Sequence, residues 1–237
     1  MKTVHFVRHG ETEQNKDGIW QGHTNTQLSK TGKAQAKLLS KRINLKNQTV
    51  FTSDLARAKE TAYFLSDSPN VRENLREINV GDFTGKSVKE TYSNNLDIFD
   101  ALQYDTYVFP NGESVQEFKL RVQKEVDHIF DNIDEDSECV VVTHGFFIGT
   151  AIGLVLGFNQ YPYPIGNIQN TSISTVIKRD SVMQVNKFND AIHLPNSYID
   201  YPAKDKSRIL TFIRHGQTDS NTQGVWQGHV DNPLNTY

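Results

Sequence analysis

Cysteine is almost absent. Cys139 is the single thiol of the chain, so no internal disulfide can form and a disulfide-stapled miniprotein is excluded. An excess of either charge is missing as well: 25 Lys and Arg stand against 28 Asp and Glu, a formal net charge of −3. No global basic field is available to hold nucleic acid or an anionic membrane, so neither is expected as a partner, and any anion must meet a local cluster of cations. The opening Met1-Lys2-Thr3-Val4-His5 lacks the long apolar core of a secretion signal, which with the lone thiol makes a cytoplasmic protein the expectation. Charge is also missing from Cys139 to Ile177, and residues 139–158 alone are long enough to cross a bilayer, which takes about 20 residues. The stretch is nevertheless read as a buried strand feeding a buried helix. Val140-Val141-Val142-Thr143 is β-branched, Gly145 breaks the run, and Phe146–Leu156 has helical character, a pattern that parallel strands covered on both faces produce.

What is present suffices for a packed core. The chain has 237 residues, 36% of them hydrophobic, with thirteen Phe and nine Tyr, enough for one sizeable domain with a small appendage. Strands are expected at Thr3–Val7, Val50–Thr52 and Val140–Thr143. Helices are expected from about Ser29 to Ile43, over Asp54–Leu65 with Ser53 as N-cap, and over Ser114–Ile133 after the turn Pro110-Asn111-Gly112. Residues 86–135 read as mainly helical, and Ser172–Lys178 with Val182–Phe188 as a hairpin pivoting at Arg179-Asp180-Ser181. Strands alternating with helices indicate an α/β domain with a largely parallel sheet. The domain is placed at residues 1–195 and a linker at 196–207.

Residues 208–237 then repeat 2–31, with twelve of thirty positions identical. Arg8-His9-Gly10-Glu11-Thr12 returns as Arg214-His215-Gly216-Gln217-Thr218, and Trp20-Gln21-Gly22-His23 as Trp226-Gln227-Gly228-His229. Thirty residues cannot bury a core of their own. The segment is read as a partial repeat, a truncated second domain. The rival reading has it exchanging with 2–31, in one chain or across a homodimer.

In open α/β sheets ligands bind beyond the carboxyl ends of the strands. The polar residues standing there are Arg8 and His9 after the first strand, Ser53 and Arg57 after the second, and His144 after the Val140 strand. Two arginines and two histidines on one rim make an anion pocket, and guanidinium geometry favours a phosphoryl group. Glu77, in the loop-like Leu75–Gly85, could reach a leaving oxygen as general acid.

These residues resemble the histidine phosphatase superfamily, the cofactor-dependent phosphoglycerate mutase-like proteins. The resemblance spans roughly residues 2–194. It runs through Arg8-His9-Gly10-Glu11-Thr12 with Asn15 and Gln21-Gly22, Leu28-Ser29-Lys30-Thr31-Gly32, Ser53-Asp54-Leu55-Ala56-Arg57-Ala58 with Thr61-Ala62, Glu77 with Gly81 and Gly85, Pro110-Asn111-Gly112-Glu113-Ser114, Thr143-His144-Gly145 and Asn189-Asp190 with His193-Leu194. It implies a three-layer α/β/α sandwich and a small-molecule phosphomonoester as substrate. His9 would be the nucleophile, and Arg8, Arg57 and His144 would hold the equatorial oxygens. Asn15 would be a further donor, with Gln21 and Gly22 beside it on the substrate side, and Glu77 the general acid and base. Two arginines and a protonated histidine would supply the positive charge that Mg²⁺ gives elsewhere, so neither a metal nor another cofactor is expected.

Plainer readings stand beside these. His5 and His9 have the spacing of a zinc pair, but on a strand and without a glutamate, and His5 is read as structural. Trp20, Phe83 and Tyr107 could wall the pocket or belong to the core. Glu113 and Ser114 could be no more than turn and cap. Mutases of the family carry Arg-His-Tyr-Gly after the acidic residue, whereas Glu77 is followed by Ile78-Asn79-Val80-Gly81. Hydrolysis is therefore expected, with mutase activity or a non-catalytic phospho-ligand module as the alternatives.

Overall fold

The computed structural model describes residues 1–43, 48–94, 106–158, 167–195, 216–226 and 233–235. Residues 1–199 form one compact unit and residues 200–237 another. The first is built on a six-stranded sheet: β1 Lys2–Arg8, β2 Thr49–Ser53, β3 Asn70–Arg72, β4 Glu138–Thr143, β5 Ile173–Arg179 and β6 Val182–Asp190, in the order β3-β2-β4-β1-β5-β6. The first four in that order run parallel. The β5–β6 hairpin joins β1 antiparallel, so the expected hairpin closes one edge. Its turn holds Asp180 at φ 53°. β3 is too short and too exposed to be found from periodicity.

Alternate residues of the central strands serve the two faces. Val4, Phe6, Cys139 and Val141 belong to one buried cluster, and Val7, Val140 and Val142 to the other. The helices are α1 Glu13–Lys16, α2 Lys30–Arg42, α3 Ala56–Tyr63, α4 Val88–Asn94, α5 Val115–Asn132 and α6 Gly145–Val155. Leu39 of α2 and Ala58 and Ala62 of α3 cover the second face. The first is covered by Phe118, Val122, Val126, Ile129 and Phe130 of α5, at the three- and four-residue spacing of one helical stripe, and by Phe147, Ile148, Ala151 and Ile152 of α6. The architecture is thus the expected α/β/α sandwich. The uncharged stretch resolves into β4 and α6, and among the described residues no helix is long and apolar enough to cross a membrane.

Trp20 packs against Phe109 and Phe146, and Phe83 and Tyr107 against Phe109. All five belong to or pack on the core cluster, which for Trp20, Phe83 and Tyr107 is the plainer of the two readings. Helix α5 begins as expected, with Ser114 and Glu117 forming a capping box. Ser53 is a correction: α3 starts two residues later than its N-cap role requires, at Ala56, with Leu55 at the cap and no side-chain bond there. The part of the 86–135 reading that falls on 95–105 lies outside the described residues, as does the linker.

In the second unit, Thr218 caps α7 Asp219–Thr222 with Asn221, as Thr12 caps α1 with Asn15. Gly224 (φ 69°) follows as Gly18 (φ 64°) does. The repeated sequence therefore takes the same local turn. Arg214, His215, Gln227, Gly228 and His229 lie outside the described residues.

Candidate active site

Three strand ends, one helix and one loop converge. His9 follows β1, its N–H donating to Thr143 O at 2.9 Å, and it is buried. Its Nδ1 lies 2.7 Å from Gly10 O. A carbonyl only accepts, so Nδ1 carries the proton and Nε2 presents a lone pair. Arg57 Nε sits 3.3 Å from that Nε2, as a donor to a lone pair would. Burial, then the Arg57 and Arg8 charges, holds His9 well below the ordinary imidazole range, against the pull of the Gly10 carbonyl.

Arg57 is 1% exposed, and other guanidinium protons are accepted by Thr24 O (2.7 Å) and Gly22 O (2.9 Å). Burial lowers it to about 10, with Arg8 acting in the same direction and Glu77 against it, so it remains a cation at neutral pH. Arg8 donates through Nη1 to Ile168 O, while its Nε is buried without a hydrogen-bond partner among the described residues. Gly145 lies alongside: a Cβ there would stand 3.6 Å from Arg8 Nε.

His144 lies between β4 and α6, its ring centroid 5.2 Å from that of His9. Nε2 is 2.9 Å from Ser53 Oγ, and Nδ1 is buried with no hydrogen-bond partner among the described residues. Burial, then the charge of Arg57 and its neighbours, holds His144 far below its usual range. This environment disfavours the protonated histidine expected here, and leaves Arg8 and Arg57 as the fixed positive charges of the cluster.

Glu77 meets the start of α6. Its Oε2 accepts from Phe146 N–H at 3.1 Å, and its Oε1 from Phe147 N–H at 3.2 Å and Ile78 N–H at 3.1 Å. Burial raises its pKa, opposed by these N–H groups and by Arg57 and Arg8. The structure thus brings Arg8, His9, Arg57, Glu77 and His144 into one electrostatically connected cluster.

The expected substrate-side residues are mainly braced. Asn15 Oδ1 accepts from Thr12 N–H and from Asn170 Nδ2. Gln21 Oε1 accepts from Thr12 Oγ1 and Thr26 Oγ1. Gly22 gives its carbonyl to Arg57, and its φ of 47° with Val80 Cγ2 2.9 Å from any added Cβ suits glycine. His5 sits apart, bonded to Thr175 and Glu138, in keeping with its structural reading. Among the described residues no three His, Cys, Asp or Glu side chains gather as a metal site would need.

Sequence reasoning missed Asn170 and Arg121 and gave Thr61 no role, although Thr61 stands in the motif run after Arg57. Asn170 Nδ2 donates to His9 O at 2.9 Å. Thr61 Oγ1 accepts Gly10 N–H at 2.9 Å and donates to Arg57 O at 2.7 Å. Behind the Glu77 loop, Arg121 holds the Asn74, Arg76 and Glu77 carbonyls and pairs with Glu113, which also accepts Asn79 N–H. Glu113 is therefore more than a turn residue. Its place in the Pro110–Ser114 run was a usable signal, but its partner Arg121 is an ordinary helix arginine in sequence.

A family model described as "Histidine phosphatase superfamily (branch 1)" matches residues 4–191 and again 210–237. The chain is 28% identical over 213 residues to "Probable phosphoglycerate mutase GpmB" of Enterobacter sp. (strain 638), covering 87% of this chain and 99% of that protein. It is 30% identical over 199 residues to "Metal-independent phosphoserine phosphatase" of Arabidopsis thaliana, covering 80% and 82%. A crystal structure of a mutant phosphoserine phosphatase from Entamoeba histolytica in complex with phosphoserine superposes with a TM-score of 0.74 at 28% identity, over 82% of this chain and all of that one.

Proposed function

This chain belongs to the histidine phosphatase superfamily, and from that premise we propose that it hydrolyses small phosphomonoesters through a phosphohistidine on His9. The observation that carries the reading is the locked His9 ring: Nδ1–H is committed to Gly10 O, so Nε2 is the unprotonated edge. In the first half-reaction Nε2 attacks phosphorus, the N–P bond forms as the ester P–O bond breaks, and Glu77 gives its proton to the departing alkoxide. In the second, water attacks phosphorus, its proton passes to the Glu77 carboxylate, the N–P bond breaks, and phosphate leaves. Arg8 and Arg57 offset the charge of the phosphoryl oxygens, and His144 adds a directional contact.

Glu77 suits both halves because its environment pulls it two ways. Burial favours the acid, whereas the α6 N-terminus and the arginines favour the carboxylate. Phosphatase names among the relatives and the Ile78-Asn79-Val80 run after Glu77 support hydrolysis. The GpmB relative's name favours a second reading, transfer of the phosphate from His9 to another hydroxyl. A phosphomonoester panel that includes phosphoserine and 3-phosphoglycerate, run with EDTA, tests the choice: free phosphate is expected, and 2-phosphoglycerate formed faster than phosphate would reverse it.

We also assign the whole catalytic set to residues 1–195 and read residues 208–237 as a partial repeat of the strand and loop that carry His9. The family match at 210–237 and the shared capping box of Thr12 and Thr218 support this. A cytoplasmic location remains part of the same proposal.

A further inference from the structure

We propose that Ser53 fixes the tautomer of His144, donating its hydroxyl proton to Nε2 so that the ring keeps its own proton on Nδ1 and offers it to a phosphoryl oxygen. The inference rests on the reading of this site as a phosphoryl pocket, and it makes Ser53 a positioning residue.

The argument is one of proton accounting. Ser53 and His144 are both fully buried, with Oγ 2.9 Å from Nε2. Ser53 Oγ also accepts the Leu55 N–H at 3.3 Å, which uses a lone pair and leaves the hydroxyl proton to be placed. Among the described residues no carbonyl or carboxylate is bonded to Ser53 Oγ, so Nε2 is the acceptor within reach. The opposite assignment would make Nε2 the donor and leave two buried groups unpaired, the serine O–H and the Nδ1 lone pair, against the single Nδ1–H of the assignment proposed, and each unpaired buried polar group is destabilising. A neutral imidazole has one N–H and one lone pair. With Nε2 accepting from Ser53, the N–H falls on Nδ1, the buried atom that has no hydrogen-bond partner among the described residues.

The surroundings make this choice consequential. The charged and titratable groups facing His144 are Arg57 on α3, Arg8 at the end of β1, His9 and His23, and the positive field of the two arginines disfavours a second ring proton. A neutral His144 can then assist an anion only if the right nitrogen bears the hydrogen. The wrong tautomer would turn a lone pair toward the phosphoryl oxygens. This also gives Ser53 a role in place of the helix cap expected of it.

The test is nitrogen NMR on the full chain carrying ¹⁵N-labelled histidine, with and without orthovanadate, using His144→Gln to identify the His144 signals. The expected spectrum has His144 Nδ1 in the protonated range and Nε2 in the unprotonated range. Ser53→Ala should move the proton to Nε2 and lower kcat about tenfold with a smaller change in KM, the scale of one hydrogen bond to a charged group, whereas Ser53→Thr, which keeps the hydroxyl, should restore both. A proton on Nε2 in the unmodified chain, or a spectrum unchanged by Ser53→Ala, overturns the proposal. The unmodified chain decides the tautomer even if Ser53→Ala does not fold. If no phosphomonoester is turned over, the functional reading fails while the spectrum still settles the tautomer.

Discussion

Glu77 caps the helix that His144 precedes: its two carboxylate oxygens accept the Phe146 and Phe147 N–H groups at 3.1 and 3.2 Å. One turn of chain therefore places both the His144 ring and the proposed acid, and a shift of that turn moves them together. These N–H groups at the start of α6 and the helix dipole favour the carboxylate, while burial favours the protonated acid and is the larger influence.

Glu77→Gln keeps the size of the side chain and removes the transferable proton. With an alkyl phosphate such as phosphoserine, kcat/KM, which reports the phosphorylation half-reaction alone, should fall by about 10²–10⁴, the usual range for losing a general acid. With p-nitrophenyl phosphate, whose leaving group needs little protonation, the loss in kcat/KM should be far smaller, although kcat also falls because Glu77 serves as the base for the water. Equal losses in kcat/KM on the two substrates would count against Glu77 as the acid.

Arg121 braces the Glu77 loop without belonging to the reacting cluster, with Nη2 3.2 Å from Glu77 O and 2.8 Å from Glu113 Oε2. Arg121→Ala should lower kcat roughly 10–100-fold through misplacement of the acid, while KM changes little. Arg121→Lys should not restore it, because an ammonium cannot span the Glu113 carboxylate and the loop carbonyls together. Steady-state kinetics on phosphoserine and p-nitrophenyl phosphate separates a positioning effect, which is larger on the first, from general destabilisation, which affects both.

Stability should fall on acidification well before the carboxylates titrate. His193 is lowered to about 4 by burial, then by the Arg42 charge, with Asp190 opposing. Its neutral ring receives Arg42 Nη1 at 3.1 Å and meets Thr171 Oγ1 at 3.1 Å. The unfolded chain binds this proton near pH 6.5 and the folded chain only near 4, so the stabilising contribution is complete above about 6.5 and is lost as pH falls toward 4. Buried His9 and His144 act in the same direction. Urea midpoints at pH 7.5, 6 and 5 should decline in that order, and His193→Asn should flatten the decline. A midpoint independent of pH over that range would contradict the assignment.

The repeat gives a separate test of where activity resides. His9→Ala should abolish turnover in the full chain. Turnover that persists, and disappears only when His215→Ala is added, would contradict the assignment to residues 1–195 and favour exchange of 208–237 for 2–31.

Much of this was legible in the sequence because the site sits at strand ends. Uninterrupted apolar runs such as Val140–Val142 mark strands covered on both faces, and the residues just past the carboxyl end of such a strand face the ligand side of an α/β sheet. Arg8, His9 and His144 were found that way. Ser53 was found in position but misread in role, since N-cap chemistry and a hydroxyl bonded to a buried imidazole look alike in one dimension. The environment that disfavours a protonated His144 is not legible, because it depends on burial and on two arginines brought in from β1 and α3. Arg121 with Glu113, and Asn170 with the His9 carbonyl, join residues through tertiary contacts that no local spacing encodes.

The central claim is that the His9 ring, with Nδ1–H fixed on Gly10 O, carries the phosphoryl group during turnover. Rapid quench of the full chain with a ³²P-labelled phosphomonoester, followed by peptide mapping under alkaline conditions, tests it directly. The account predicts an acid-labile, base-stable label on the peptide containing His9, up to one per chain, and no label in His9→Ala. Steady hydrolysis with no label on that peptide, or with the label on another residue, would contradict it.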